Sequence, residues 1–409
     1  MIRRAQFLIV ASVLIVAAFS TGLAFFFFVV YLGLLAVGGS YVLTRFGLAD
    51  LEAGYRVDHR QGHVGDDLRT TYSISNASGL PKPWLEVYNP TDLAVPLPGR
   101  ALGLRPWAQR SWVAIVPLVR RGTYRIEPMV VRTGDPFGFF EAAATVGRPT
   151  VVTVFPRVVP LPRWRLPNAN LEGTHSAPER TLQTTPLATT VRPYAPGDSF
   201  NRIHWRSTAR LGEIQVKEFD LEQTADVWLF VDLDSSVQHG EGDVSTVEES
   251  LRIAASIAQD AIVENRAVGL TTSGHRTVSI PADRGPRQRQ KIMQLLAAVD
   301  GDGRTPLTEQ LLNGLPLLRR GMTAVIVTPS RDRHWVRTLT GLRTRGVVAV
   351  VVALDGQTYE AAAHGGQPEA ADSSEYAAQE QRALRFALAE YDLKVYEVKA
   401  GDNLGAVLA

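Results

Sequence analysis

Residues 226–236 read DVWLFVDLDSS, and this stretch decides the fold class of the C-terminal half. Its unbroken apolar run ends in acids, which is typical of a strand buried on both faces of a parallel sheet. We therefore expect a strand over 226–233. Ligands of open α/β sheets bind at the carboxyl ends of the strands, so the acids stand where a site would lie.

The residues that follow alternate between helical and strand patterns. Ser245, three residues before Glu248, predicts a capping box at a helix start, and Ser273-Gly274 predicts a hairpin turn. Residues 355–373 predict a polar, alanine-rich loop. The alternation predicts a doubly wound, Rossmann-type α/β domain over 224–409 with a mainly parallel sheet. The predicted helices cover 247–266, 286–299, 306–319, 334–345 and 374–391, and the strands 267–272, 275–281, 323–328, 346–354 and 393–398.

The residues before this half predict a different architecture. Residues 52–160 contain short β-rich runs, many of them alternating, bounded by Gly, Pro, Asn or Asp, and they show no helical period. Six or seven such strands predict an all-β, antiparallel sandwich domain over 47–165. Residues 161–190 are rich in proline and threonine and are interpreted as a linker or a long loop laid over a neighbour. The predicted connecting segment covers 166–223.

The N-terminus is apolar enough for a membrane. From residue 5 to residue 44 the chain has no charge, a length sufficient for two spans. A break at Ser20-Thr21-Gly22 predicts a two-helix transmembrane hairpin within 1–46. A signal peptide is the alternative for the first span, although a second apolar run follows it instead of a polar mature start.

Flanking cations predict the orientation of this hairpin. Arg3 and Arg4 precede it and Arg45 follows it, while the turn between the spans has no cation. The positive-inside rule therefore places both ends, and all of the chain after residue 45, in the cytoplasm. We expect a multi-pass protein of the plasma membrane with cytoplasmic soluble domains.

The overall composition excludes several classes of function. The 43 Lys and Arg residues nearly balance the 41 Asp and Glu residues, so the net charge gives no reason to expect nucleic acid. The absence of cysteine excludes disulfides, thiolate metal sites, iron–sulfur clusters and a cysteine nucleophile. The sequence contains no P-loop, no Gly-x-Ser-x-Gly elbow and no His-Glu-x-x-His, and its eight histidines are scattered singly. No catalytic residue is predicted.

The acids after the first α/β strand are the preferred site. Asp232, Asp234 and Ser236 alternate, so in an extended segment their oxygens would project to one side. Two acids and a hydroxyl suit a hard divalent cation such as Mg²⁺. The favoured interpretation is structural, with Asp232 and Asp234 capping loops and helix starts, and a bound cation is the alternative.

A basic stretch upstream, YAPGDSFNRIHWRSTAR at 194–210, has two interpretations. Asp198 or Ser199 would cap a short helix on which Arg202, Arg206 and Arg210 line one face, and Gly212 would end it. The arginines could form an anion or partner dock. The favoured interpretation is an internal ionic latch, packed under Trp205, between these arginines and an acidic row formed by Glu218, Asp220 and Glu222.

Several motifs, in order, give the chain a family resemblance. RPYAPGD at 192–198, then Ile203-His-Trp205, Ala209-Arg210, Val216 and Glu222, resemble the signature of a bacterial family, domain of unknown function 58. Upstream, RGTY at 121–124 and GDPFGF at 134–139 resemble motifs of the same family. We interpret Asp135 as a turn acid with Phe137 and Phe139 packed nearby. The signature positions carried over are Tyr194, Gly197, Asp198, Trp205, Arg206, Ala209 and Arg210.

The α/β half also resembles von Willebrand factor A domains. Asp232-x-Asp234-x-Ser236 is similar to their Asp-x-Ser-x-Ser metal signature, and Thr305 fits the threonine that their second loop supplies. The resemblance implies a further aspartate after the strand 323–328, where this chain has Pro329-Ser330. A cation bound here would therefore occupy a degenerate Mg²⁺ site at Asp232, Asp234, Ser236 and Thr305, and no other cofactor is expected.

These resemblances imply a function without a reaction. The family is thought to assist MoxR-type AAA+ ATPases and other membrane proteins in assembly or maturation. We expect a membrane-anchored, non-enzymatic cytoplasmic adaptor that binds partner proteins. Two alternatives stay open: a metal-dependent hydrolase that uses the same acids, and an outward-facing metal-dependent adhesion protein.

Overall fold

A computed structural model of the chain describes residues 2–162, 164, 190–195, 198, 200–218, 226–365, 371–391 and 393–409. The chain divides into two compact units. The first contains Met1–Val158 with Met293–Ala298, and the second contains Val159–Ile292 and Val299–Ala409. Most of the linker predicted over 161–190 lies outside the described residues.

The first unit begins with two helices, α1 (Ile2–Thr21) and α2 (Ala24–Gly47). The two helices are in contact where the ring of Phe19 in α1 packs edge-on against the ring of Phe27 in α2, with ring centroids 5.5 Å apart. Among the residues searched, α2 is the one helix that is long and apolar enough to cross a membrane, and the apolar part of α1, Ile9–Thr21, is shorter.

Residues 51–155, all of them described, form ten strands in three sheets. The sheet orders are β1-β3-β6, β2-β10-β7 and β5-β4-β8-β9, and every pair is antiparallel except β10 with β2. The first of these sheets contributes to two apolar cores, one around Tyr72 and Leu85 and one around Ile126 and Val152. The strands are β1 (Leu51–Val57), β2 (Gln61–His63), β3 (Asp67–Asn76), β4 (Lys82–Tyr88), β5 (Arg100–Leu104), β6 (Gln109–Pro117), β7 (Gly122–Ile126), β8 (Met129–Gly134), β9 (Glu141–Val146) and β10 (Thr150–Phe155).

The prediction of six or seven strands here was too low. The short strand β2, the strand RALGL (β5) and the alanine-rich strand β9 have weak β propensity, and pairing with neighbours decides their conformation instead. The run GTYRIEPMVV forms two strands, because Pro128 falls between Ile126 and Met129.

The second unit begins with a small motif. Strands β11 (Thr190–Pro193) and β12 (Gln215–Glu218) pair antiparallel, and between them lie a 3-10 turn at Phe200–Arg202 and helix α3 (Trp205–Leu211). As predicted, Gly212 ends the helix, with a left-handed φ of 77°. The predicted cap at Asp198 or Ser199 was wrong, because His204 caps α3 through its ring nitrogen, which accepts from the Ser207 amide. Arg202 therefore lies before the helix.

The rest of the second unit is a mixed six-stranded sheet with helices. The strand order is β17-β16-β13-β18-β19-β20, parallel except for β17. Trp228 and Phe230 of the central strand pack against the core that Trp335 fills. The elements are β13 (Val227–Val231), β14 (Gly240–Glu241), β15 (Val244–Ser245), α4 (Thr246–Val263), β16 (Val268–Ser273), β17 (Thr277–Asp283), α5 (Gly285–Ala298), α6 (Leu307–Gly314), β18 (Thr323–Thr328), α7 (His334–Thr344), β19 (Val348–Leu354), α8 (Gly356–Ala363), α9 (Ala371–Glu390), β20 (Lys394–Val398) and α10 (Leu404–Val407).

Most predicted elements of this half are confirmed, including the hairpin β16–β17 and the Ser245 cap, whose hydroxyl accepts from the Glu248 amide at 3.3 Å. The loop predicted over 355–373 was wrong in its first part, which forms α8. That helix buries Tyr359, which packs it against the domain. The polar residues around Tyr359 had suggested a loop. Helix α6 ends at Gly314, earlier than predicted, because Pro316 follows in a 3-10 turn.

Candidate functional site

Asp232 lies directly after the fully buried central strand β13 and is itself 1% exposed. The Thr328 hydroxyl, at the end of β18, donates to one carboxylate oxygen at 2.6 Å. The backbone N–H of Asp234 donates to the other oxygen at 3.2 Å. The sequence therefore placed this acid correctly at the carboxyl end of the sheet, and the tertiary structure adds Thr328 to it.

The electrostatic surroundings of Asp232 disfavour its charged form. Burial raises its pKa to about 6, and the nearby carboxylate of Asp234 acts in the same direction. The hydrogen bonds from Thr328 and from the Asp234 backbone lower it, but by less than burial raises it. At neutral pH the folded protein thus holds a carboxylate for which its own donors compensate incompletely.

The residues after Asp232 form a turn, and not the extended segment on which the predicted alternation depends. Asp234 is half-buried, and its Oδ1 accepts from the Ser236 amide at 3.0 Å and from the Ser236 hydroxyl at 2.9 Å. Ser236 itself is exposed. Asp234 and Ser236 are still brought together, through a local turn instead of a shared strand face.

The loop that carries Thr305 lies beside this turn. Asp234 and Gly303 form a parallel β-bridge, in which the Ser235 amide donates to the Gly303 carbonyl at 2.9 Å. The approach requires glycine, because a Cβ at Gly303 would lie 1.9 Å from the Ser273 carbonyl oxygen. Thr305 follows two residues later and is half-buried. Both predicted donor loops therefore meet at one edge of the sheet.

Sequence reasoning missed the polar side chains that support this edge. Gln310 is 0% exposed, and its amide donates to the Val231 and Thr271 carbonyls at 3.2 and 3.1 Å. The Gln238 amide donates to the Asp232 carbonyl at 3.0 Å. The sequence contained one indication of the role of Gln310, because a polar residue on the buried face of helix α6 needs hydrogen-bond partners.

The oxygen donors Asp232, Asp234, Ser236 and Thr305 suit a hard cation by chemical type, because Mg²⁺ and Ca²⁺ prefer carboxylates and hydroxyls. Two carboxylates are present at this edge. At the place where the resemblance implies a third, Ser330 is buried and its amide donates to the Thr328 hydroxyl oxygen. The next acid, Asp332, is half-exposed and pairs with His334 at 2.5 Å. In the part of the chain that the structure describes, no three His, Asp or Glu side chains cluster as a metal site.

A second polar group lies at the ends of the neighbouring strands. Arg331 follows β18 and Asp355 follows β19, with Nη2 and Oδ1 3.7 Å apart. These two atoms and the Tyr359 hydroxyl are buried without a hydrogen-bond partner in the described part of the chain. Unmet polar atoms at this edge are open to a ligand or to water.

The signature residues build a corner, not a site like the one at Asp232. Arg192 and Asp198 pair through two hydrogen bonds of 2.8 Å, and Asp198 also accepts from the Ala195 amide. Tyr194 stacks on Phe200 at 6.1 Å. Gly197 lies outside the described residues.

The outer face of this corner overturns part of the latch interpretation. Trp205 is 69% exposed, so it does not cover a buried core among the described residues, and Arg206, Ala209 and Arg210 are exposed with it. The polar residues Arg192, Asp198 and His204 already hold the motif, which frees the aromatic ring to face outward. The side chains of the acidic row at 218, 220 and 222 lie outside the described residues, so the ion pairs themselves stay a prediction.

Comparison with known proteins connects this geometry to a family. Residues 190–374 match the family model described as "Protein of unknown function DUF58". The uncharacterized protein YeaD of Bacillus subtilis is 26% identical over 314 residues, which cover 74% of each chain. The uncharacterized protein Rv1480 of Mycobacterium tuberculosis is 29% identical over 178 residues, which cover 41% of this chain and 55% of that one.

Solved structures align only loosely. The CARDB domain of a Pyrococcus furiosus protein covers 26% of this chain and 92% of its own, at 15% identity and a TM-score of 0.20. Proximal thread matrix protein 1 of the mussel byssus covers 45% of this chain and 46% of its own, at 11% identity and a TM-score of 0.29. Scores this low carry no argument about the fold.

Proposed function

We propose that the chain, whose residues 190–374 match the DUF58 family model, is a membrane-anchored adaptor that binds a partner protein at the Asp232 edge of its second unit. The observation that carries the proposal is Asp232 itself. A buried carboxylate beside a second carboxylate is costly, and its pKa is raised to about 6. A bound cation, together with a partner's acidic group that completes the cation's shell, would remove that cost.

In this proposal the second unit is a von Willebrand factor A-like domain, and Asp232, Asp234, Ser236 and Thr305 hold Mg²⁺. The partner is a MoxR-type AAA+ ATPase, as the family resemblance implies. Together they would assemble or mature a complex that includes other membrane proteins. The Arg331–Asp355 pair borders the same edge.

The anchor is the N-terminal region. Helix α2 is apolar over a length that crosses a bilayer, and α1 would form the second arm of a hairpin with it. With Arg3, Arg4 and Arg45 on the inner side, both units lie in the cytoplasm of a bacterial cell. The adaptor thus holds its partner close to the membrane.

Cross-linking in membranes tests the proposal. The full chain is expressed as wild type, as Asp232→Asn and as the control Asp332→Asn, which changes an exposed acid of the same unit. With Mg²⁺ and nucleotide present, wild type and control should recover a MoxR-type ATPase, and Asp232→Asn should recover several-fold less. Equal recovery by all three variants would exclude the Asp232 edge as the binding site.

A hydrolase is the second candidate, because a carboxyl group with a pKa of about 6 could serve as a general base near neutral pH. The same three variants decide between the two. Turnover of a phosphoester that needs Mg²⁺ and is lost only in Asp232→Asn would replace the adaptor by an enzyme.

A further inference from the structure

Four large apolar side chains of the β-rich region are exposed at one end of it. They are Leu80, Trp84, Trp107 and Phe137, with exposed fractions of 53%, 41%, 73% and 61%, and we call them the apolar rim. Leu80 lies between β3 and β4, Trp84 near the start of β4, Trp107 between β5 and β6, and Phe137 between β8 and β9.

The strand register shows that these positions share an end. Lys82 at the start of β4 pairs with Leu104 at the end of β5, and Glu86 pairs with Arg132 near the end of β8. Asn76 ends β3, and its side-chain amide donates to the carbonyls of both Leu80 and Arg105. The three turns that carry the rim are therefore neighbours.

Helix α2 meets the β-rich region at this same end. The buried ammonium of Lys82 donates to the Phe46 carbonyl in the last turn of α2 at 2.5 Å. Gly47 packs so tightly on Thr133 that a Cβ there would lie 2.8 Å from its methyl group. Tyr41 packs edge-on against Phe140, with ring centroids 5.7 Å apart. The end of α2 is thus fixed against the strands that carry the rim.

The turn between β8 and β9 exposes Phe137, and hydrogen bonds to Asp135 fix its conformation. The Asp135 carboxylate accepts from the amides of Phe137 and Phe140 at 2.8 and 2.6 Å. Burial by itself would raise the pKa of Asp135, but these backbone donors hold it below its usual value, so the turn keeps its charge. Phe137 stacks on Phe139 at 5.8 Å. The acid that the sequence predicts as a turn residue therefore positions the exposed ring of Phe137, on which the half-buried Phe139 stacks.

The depth of this turn follows from α2. Arg45 is the first charged residue after the apolar run, so it marks the level of the lipid headgroups if α2 crosses the bilayer. Tyr41 lies four residues earlier, about 6 Å deeper along the helix. Because Phe140 contacts Tyr41, the turn at 135–140 reaches the boundary between headgroups and acyl chains. Aromatic side chains are enriched at that boundary.

At the opposite end of the same strands, the turn between β1 and β2 is polar, although Val119 beyond β6 is 38% exposed there. The turn 58–60 reads DHR, is exposed, and lies beyond the far end of β1, about 20 Å from the residues that pair at its start. The larger exposed apolar surface at the rim end requires an explanation, because large exposed apolar side chains grouped together are unfavourable in water.

We infer that the apolar rim is a second membrane contact, which lies in the interfacial layer of the bilayer around the point where α2 leaves it. This inference rests on the proposed function in one respect, the crossing of the bilayer by α2. The rim orients the β-rich region on the membrane, so that its DHR turn points away from the bilayer. It also gives the GDPFGF motif at 134–139 a role, as an interfacial anchor.

Lipid-attached quenchers test the inference in the full chain. The protein has no cysteine, so one engineered cysteine carries a single fluorescent label. The variants are Phe137→Cys and Trp107→Cys in the rim, His59→Cys in the opposite turn as control, and Leu35→Cys within α2. Each is reconstituted into phosphatidylcholine–phosphatidylglycerol vesicles that contain doxyl lipids labelled either near the headgroup or near the chain end.

We expect headgroup-level doxyl to quench the labels at 137 and 107 several-fold more than the label at 59, and chain-end doxyl to quench the label at 35. Equal quenching at 137, 107 and 59, with strong quenching at 35, would overturn the rim inference and leave the membrane crossing intact. No quenching at 35 would overturn both. Labels at 137 and 107 that iodide and doxyl both fail to reach would show that protein, and not lipid, covers the rim.

Discussion

Each unit of the molecule buries a charged side chain almost completely, and the two differ in what surrounds them. Lys82 in the first unit and Asp232 in the second are both 1% exposed. Burial lowers the pKa of Lys82, while the opposite charge of Asp50 raises it. Burial raises the pKa of Asp232, and the like charge of Asp234 raises it further. Lys82 meets an acid and the negative end of a helix, whereas Asp232 meets another acid.

The difference separates a structural charge from a charge that awaits a ligand. Lys82 is partly matched inside its own unit, because its ammonium bonds the last turn of α2 and Asp50 offsets some of the lowering of its pKa by burial. Among the described residues, a hydroxyl and one amide donate to Asp232, and the remaining imbalance is what a cation would correct. Substitutions at Lys82 and Asp232 test this distinction and one at Trp205 tests the signature corner, in order of decreasing effect.

Charge reversal at Lys82 should have the largest effect. Lys82→Glu places a carboxylate beside Asp50 and the carboxyl end of α2, which leaves a buried, unmatched charge and should cost about 3 kcal/mol or more. Lys82→Met keeps the apolar stem. Because the Phe46 carbonyl also accepts from the Leu48 and Ala49 amides, this control should cost only about 1 kcal/mol. Calorimetry in detergent micelles measures both; a tolerated glutamate would contradict the structural role of Lys82.

Neutralising Asp232 should instead stabilise the second unit. Its folded pKa of about 6 exceeds the reference value of 3.8, so the folded state binds the proton more tightly than the unfolded state. The stability from that proton is present below about pH 4 and is lost as the pH rises through about 6. Asp232→Asn should therefore be more stable than wild type at pH 8 by up to about 3 kcal/mol, and equally stable near pH 4.

Unfolding of both proteins across this pH range, without divalent cations, is the measurement. Added Mg²⁺ should recover part of the difference for wild type only. A wild type that gains stability between pH 4 and pH 8 relative to Asp232→Asn would show that Asp232 is matched in the way that Lys82 is.

The signature corner should give the smallest effect. Trp205 is 69% exposed, so Trp205→Ala should change stability by no more than about 0.5 kcal/mol. Ile203, two residues earlier, is 5% exposed, and Ile203→Ala should cost about 2 kcal/mol or more. Thermal unfolding of the two variants checks the contrast. A large loss from Trp205→Ala would restore the interpretation of Trp205 as the cover of an internal latch.

The errors of sequence reasoning have identifiable causes. Strands such as β9 were missed because alanine has weak β propensity and only pairing with β8 makes the segment extended. Helix α8 was missed because polarity suggested a loop, although Tyr359 anchors it. Trp205 was expected inside because large aromatic residues usually are, and only the tertiary structure shows polar residues holding its motif from within.

The sequence by itself determined the apolar N-terminus, the change from a β-rich to an α/β region and the position of Asp232 at the end of a buried strand. Hydrophobic periodicity and chain order carry that information directly. The tertiary structure alone decided that Thr328 bonds Asp232, that Gly303 and Gln310 bond the residues beside it, and that the four apolar side chains of the rim lie at the end of the β-rich region that α2 contacts. These residues are far apart in the chain, and strand pairing, which no local pattern encodes, brings them together.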